Sequence, residues 1–205
     1  MNIFNEKTAL ILLNMQNDYL HDDGAMARGR LFIPNTRTIT ERLIHMTNKM
    51  RETPEHLVIS CQFTLIADNQ NRPIYPENIK KIYPFLGRGD FREPSWGHNL
   101  IEELRPANYS VPSISHSAFY RTHLDWMLKR LEVKNLIFCG VPSNTAVAAT
   151  VRDAQLNDYR TFVLEDGCSA FSQTEHEETM RSLRHLCPVM SCKEMIAEMH
   201  YLVDS

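Results

Sequence analysis

What most narrows the fold of this chain is an alternation of short, mostly apolar segments rich in Leu, Ile and Val with longer segments that carry a single apolar stripe. The short segments read as strands at Thr8–Leu13, Leu57–Cys61, Tyr109–Pro112, Asn135–Cys139, Thr161–Leu164 and Val189–Ser191. A strand apolar on both faces must be covered on both faces, which is the habit of parallel strands. The longer segments read as helices at Thr36–Arg51, Thr122–Leu131, Ser143–Asn157 and Thr174–Leu186, the second with Leu124, Leu128 and Leu131 on one side. Ser172, three residues before Glu175, fits a capping box at the start of the last helix. Right-handed crossovers between such elements give an α/β fold, a three-layer α/β/α doubly wound sheet of about six mainly parallel strands.

The 205 residues suit one domain spanning residues 1–205. Its one long irregular stretch, residues 62–98, contains Pro73, Pro76, Pro84 and Pro94. Inside a compact domain such a segment is expected to form a lid, a pocket wall or a subunit contact.

Composition removes several classes of partner. A formal net charge of -3 gives no attraction to nucleic acid or to an anionic membrane surface. The apolar runs fall well short of the ~20 residues of a membrane span. No basic segment followed by an apolar stretch opens the chain, so a cytoplasmic protein without a signal peptide is expected. Cys61, Cys139, Cys168, Cys187 and Cys192 form an odd set without CxxC spacing, and they read as reduced, buried, inert thiols.

In an open α/β sheet the binding crevice lies beyond the carboxyl ends of the strands. That rule brings together Asn14 after the first strand, Ser113 after the third, and the helix start from Ser143 to Ala146. Four segments in these places resemble those of the isochorismatase-like, or cysteine, hydrolases. Ala9-Leu-Ile-Leu-Leu-Asn14-Met-Gln-Asn-Asp18-Tyr resembles an apolar run followed by D-M-Q-N-D-F. His116-Ser-Ala-Phe119 is similar to a Y-S-A-F segment. The run from Gly140 through Ala146 to Asp153-Ala resembles the nucleophile segment G-V-x-T-x-x-C-V-x-x-T-x-x-D-A. Glu165-Asp166-Gly-Cys-Ser-Ala170, with His176 downstream, is similar to E-D-A-x-A and its following His.

The resemblance implies a Rossmann-type hydrolase fold and a catalytic Asp, Lys and Cys, in which a helix N-terminus and a cation favour the thiolate while the carboxylate carries protons. Asn14, Ser113 and Ala146 stand at the matching positions, so no member of that set is intact. No lysine lies between Lys81 and Lys129 to restore the cation, and Cys139 falls inside a strand. Asn14 also excludes the vinyl-ether cleavage of isochorismatases, since an amide cannot donate and recover a proton at neutral pH. An isolated buried charge costs about 3 to 5 kcal/mol, so joint loss of acid and cation is chemically consistent. Asn and Ser there are free to bond each other or a water.

Some relatives implied by the resemblance carry a D-x-H…H metal cluster after the second strand. The counterpart here, Ser60-Cys61-Gln62-Phe63-Thr64-Leu65, has no carboxylate or imidazole at ligand spacing, so neither a metal nor another cofactor is expected. The resemblance further implies a cis peptide before the nucleophile turn, expected at Val141–Pro142, with the amides from Ser143 to Ala146 forming a donor-rich cup. Around that cup Gln16, Gln62, Phe63, Trp96, His116, Phe119, Pro142 and Ser143 are the candidate binding residues.

Two readings stay open at the level of sequence. One is a catalytically inactive homologue that binds a small molecule or assembles as a homo-oligomer, a dimer or tetramer. The other is an active hydrolase of a small amide, ester or isochorismate-like enol ether, with Ser113 or Ser143 as nucleophile or His116 activating water.

Overall fold

The computed structural model describes residues 3–70, 72–74 and 77–200, so Pro76 and both ends of the span 1–205 lie outside the described residues. In chain order the strands are β1 (Thr8–Leu13), β2 (Leu57–Phe63), β3 (Ile66–Ala67), β4 (Pro73–Ile74), β5 (Tyr109–Ser113), β6 (Asn135–Gly140), β7 (Arg160–Cys168) and β8 (Val189–Met190). The helices are α1 (Asn17–Leu20), α2 (Ala25–Arg28), α3 (Thr36–Arg51), α4 (Glu77–Ile82), α5 (Leu124–Arg130), α6 (Ala148–Leu156), α7 (Gln173–Leu183) and α8 (Cys192–His200). Six strands form one sheet in the order β5-β2-β1-β6-β7-β8, every pair parallel, flanked by helices as a three-layer α/β/α fold.

The register explains why the central strands are so uniformly apolar. β1 pairs with β2 on one side and β6 on the other, so its Leu10, Ile11 and Leu12 are enclosed by strands and by helices. The chain passes from β1 to β2 in one direction and later adds β6 on the opposite side. This reversal is the topological switch point, beyond which the crevice of such a sheet lies.

Strand limits depart from the sequence reading where apolar character ends before pairing does. β2 runs on to Phe63, β5 to Ser113 and β6 to Gly140. β7 continues through Glu165-Asp166-Gly-Cys168, with a register shift between Phe138 and Gly140 on the neighbouring strand. The helix expected over Ser143–Asn157 opens as a π-helical turn, Ser143–Val147, before α6 begins. Ser172 caps α7 as expected, its Oγ accepting from the Glu175 amide at 3.3 Å.

The segment 62–98 is less irregular than its prolines suggest. It contains the β3–β4 hairpin and α4, and its later part is tied to α1. Phe91 is fully buried against Tyr19 and Phe63, at ring distances of 4.9 and 5.2 Å. The Asp18 carboxylate accepts from the amides of Ala25 (3.0 Å) and Phe91 (2.7 Å), and the Asp18 amide donates to the Gly97 carbonyl at 2.8 Å. A Cβ on Gly97 would lie 2.3 Å from that carboxylate, so only glycine lets the loop close here. Among the described residues no helix is long and apolar enough to cross a membrane.

Candidate active site at the strand ends

The three positions singled out by sequence all follow or end strands at the carboxyl edge of the sheet, Asn14 and the Ala146 turn after β1 and β6 at the switch point and Ser113 on the edge strand β5. Asn14 follows β1 in a left-handed conformation (φ 54°), which asparagine tolerates better than most residues. Its amide donates to the Cys61 carbonyl at 2.8 Å, and its Oδ1 accepts from the Phe63 amide at 3.1 Å. Ser113 ends β5 directly beside Phe63 in the register. Its Oγ lies 3.0 Å from the Ser115 carbonyl and 3.2 Å from that of Ser117, either of which can take its proton. Of the two options open to them, bonding each other or a water, Asn14 and Ser113 do not bond each other: Asn14 Oδ1 and Ser113 Oγ each engage backbone groups.

Ala146 sits in the π-helical turn, and its carbonyl accepts from the Thr150 hydroxyl at 2.7 Å. The turn follows a cis Val141–Pro142 bond, as expected. Gly140, just before it, adopts φ +123°, and a Cβ there would stand 2.0 Å from the Leu13 carbonyl oxygen. The exit of β6 thus runs against the exit of β1 with room only for a backbone hydrogen. Asn14, Ser113 and Ala146 are 7%, 3% and 2% exposed, so all three positions are buried.

A polar network lies beside them. Gln16 Nε2 donates to the carbonyls of Phe63 (3.0 Å) and His98 (2.9 Å), and Gln62 Nε2 reaches the same His98 carbonyl at 3.1 Å. Thr64 Oγ1 stands 2.8 Å from His98 Nε2. Burial holds the His98 imidazole below its ordinary pKa, with Glu93 opposing, so the ring is neutral at pH 7. Gln62, Phe63 and Thr64 are spent in this network, and this stretch does not fit a metal. Among the described residues no three of His, Cys, Asp and Glu are grouped to hold an ion.

Other candidates fall in different places. Trp96 is 51% exposed, and its ring meets His21 edge-on at 4.9 Å. Phe119 is half-buried against Tyr159 at 5.9 Å. His116 is half-buried, and burial lowers its pKa. Pro142 leads directly into Ser143, which is fully buried and donates its amide to the Ser169 carbonyl at 2.7 Å.

The contact missed in the sequence is between Ser143 and His176. His176 Nδ1 lies 3.2 Å from Ser143 Oγ, with the imidazole held below its ordinary pKa by burial against the opposing influence of Glu165 and Glu177. His176 also lines a cavity of about 280 Å³ together with Glu165, Asp166 and Ser169. The signal available was the position of His176 one turn into α7, a helix that packs against the turn bearing Ser143.

Comparison with known proteins agrees with this architecture. A family model described as an isochorismatase domain matches residues 8–194. The ureidoacrylate amidohydrolase RutB of Acinetobacter baylyi is 24% identical over 190 residues, covering 87% of this chain and 78% of the relative. A cysteine hydrolase from Pseudomonas syringae pv. phaseolicola superposes with a TM-score of 0.83 at 20% identity, covering 98% of this chain and 95% of its own. N-carbamoylsarcosine amidase from Thermoplasma acidophilum superposes with a TM-score of 0.70 at 20% identity, over 91% of this chain and 96% of its own.

Proposed function

The chain belongs to the isochorismatase family, and we propose that it is a divergent member whose strand-end site has given up the family's acyl-transfer chemistry. In this reading it acts by binding a small molecule or by assembling with copies of itself. The observation that carries it is the state of Asn14, Ser113 and Ala146: neutral, buried, and with the two polar side chains committed to backbone partners. Acyl transfer needs an activated nucleophile and a proton carrier in reach of it, and these side chains supply neither. A reducing, cytoplasmic setting belongs to the same proposal, supported by five buried free thiols.

A second reading, an active hydrolase of a small amide, ester or isochorismate-like enol ether, has its own support. The relatives above are an amidohydrolase and an amidase by name, and that weighs for hydrolysis more than for inactivity. Ser143 and His176 supply a hydroxyl and a neutral imidazole in contact, the pairing a serine nucleophile requires. In this reading His176 takes the Ser143 proton as the oxygen attacks a carbonyl, and returns it to the leaving group.

Both are tested by assaying ureidoacrylate and N-carbamoylsarcosine with the wild type, with Ser143→Ala, and with the triple variant Asn14→Asp, Ser113→Lys, Ala146→Cys. The first reading expects turnover in the triple variant only. Wild-type kcat/KM above about 10⁴ M⁻¹s⁻¹ defeats it. If Ser143→Ala abolishes that turnover, the second reading stands.

A further inference from the structure

The contact between Ser143 and His176 has a direction, and burial decides it. Ser143 is 0% exposed, so its hydroxyl is out of reach of solvent, and among the described residues its Oγ has one hydrogen-bond partner, His176 Nδ1 at 3.2 Å. A buried O–H without an acceptor forfeits a hydrogen bond that nothing replaces. The Ser143 proton therefore points at Nδ1, which accepts it with a lone pair. Burial holds the imidazole below its ordinary pKa, with Glu165 and Glu177 opposing, so the ring carries a single proton at pH 7. With Nδ1 accepting, that proton sits on Nε2.

Both partners are fixed by their own backbones. The Ser143 amide donates to the Ser169 carbonyl at 2.7 Å, and the His176 amide donates to the Ser172 carbonyl at 3.2 Å in the first turn of α7. His176 lines the cavity of about 280 Å³ between α3, β7 and α7, whereas Ser143 is not part of that wall. The carboxylates of the cavity are already engaged. Glu165 pairs with Arg184, Asp166 accepts from the Cys192 amide at 2.7 Å and pairs with Arg42 at 3.4 Å, and Glu177 accepts from Gln173 Nε2 at 2.9 Å. His176 Nε2, by contrast, has no hydrogen-bond partner among the described residues. Three carboxylates facing one guanidinium in the wall disfavour an anionic guest.

We propose that Ser143 is a positioning residue, which fixes His176 with its proton on Nε2, so that this cavity offers an N–H donor to the oxygen of an uncharged carbonyl compound. In this arrangement His176, rather than Ser143, touches the guest. The proposal goes beyond both readings above and needs no turnover.

Long-range proton–nitrogen NMR of the full chain carrying isotope-labelled histidine tests it. At pH 7 the wild type is expected to show the His176 proton on Nε2 and a bare Nδ1. Ser143→Ala is expected to let the proton exchange between the two nitrogens, and Ser143→Thr, which keeps the hydroxyl, to restore the wild-type pattern, with amide spectra verifying the fold of each. Acetamide is expected to shift the wild-type Nε2 signal saturably, and acetate to leave it in place. A proton on Nδ1 in the wild type overturns the proposal without recourse to any variant. So does an unchanged pattern in folded Ser143→Ala, the absence of a saturable shift with acetamide, or an equal shift with acetate.

Discussion

The side chain of Asn14 accepts the backbone hydrogen of Phe63, and Phe63 is the register partner of Ser113, so the two residues at the acid and lysine positions flank a single peptide. In the proposed reading, the absence of both charges concerns one place in the sheet. Asn14→Asp or Ser113→Lys alone would put an uncompensated charge where its wild-type counterpart is almost wholly buried. Each is expected to destabilise the fold. The double variant should be more stable than the sum of the two predicts, by more than about 1 kcal/mol. Urea unfolding of the four proteins at pH 7 measures this, and strict additivity would show that the two positions do not sense each other.

Gly140→Ala is expected to lose at least about 2 kcal/mol, because its φ of +123° strains any side chain and the new Cβ would meet the Leu13 carbonyl at 2.0 Å. Thermal unfolding followed by circular dichroism reads the effect. A Tm equal to wild type would mean that the exits of β1 and β6 are not held together as described.

Asp18 makes stability depend on pH in the acid range. Burial raises its carboxyl pKa against the opposing Phe91 and Ala25 amides. The folded chain thus holds this proton more tightly than the unfolded one. The stability it contributes is present below the unfolded pKa and is lost as pH rises through the folded value. Asp18→Asn should remove that slope, and should lower stability at pH 7 by about 1 to 3 kcal/mol, since one of the two amides loses its acceptor. Urea midpoints from pH 3.5 to 7 separate the two effects.

Histidine acts in the other direction. Burial lowers the pKa of His56, His98, His116 and His176, so the unfolded chain takes up protons first as pH falls through about 6.5. Stability should fall between pH 7 and pH 5. His98→Gln, which keeps a polar group near Thr64, should flatten part of that decline.

The five thiols should be silent toward a thiol reagent until the chain unfolds. Burial pushes Cys61 and Cys168 up to about 12 and raises the other three as well. A disulfide-exchange reagent at pH 8 is expected to titrate fewer than one thiol per native chain, and all five in denaturant.

The sheet was legible because its signal is dense. β1 occupies Thr8–Leu13, as expected, and α3 spans Thr36–Arg51, also as expected, because continuous apolar runs and a long amphipathic stripe leave few alternatives. The short helices α1, α2 and α4 were missed, being held by tertiary contacts such as the Asp18 clip rather than by periodicity. At the site, the convergence of Asn14, Ser113 and the Ser143 turn followed from topology. Side-chain commitments did not, because which carbonyl takes the Ser113 proton depends on a loop path that composition does not encode. Trp96 illustrates the same limit, for an aromatic near a glycine reads equally as wall or as surface.

The clip between Asp18 and the Phe91 amide joins the exit of β1 to the long segment that covers it. Because the same carboxylate also holds the Ala25 amide, that segment and the start of α2 are expected to open together. Deuterium exchange at the Phe91 and Ala25 amides is then expected to proceed at a common rate.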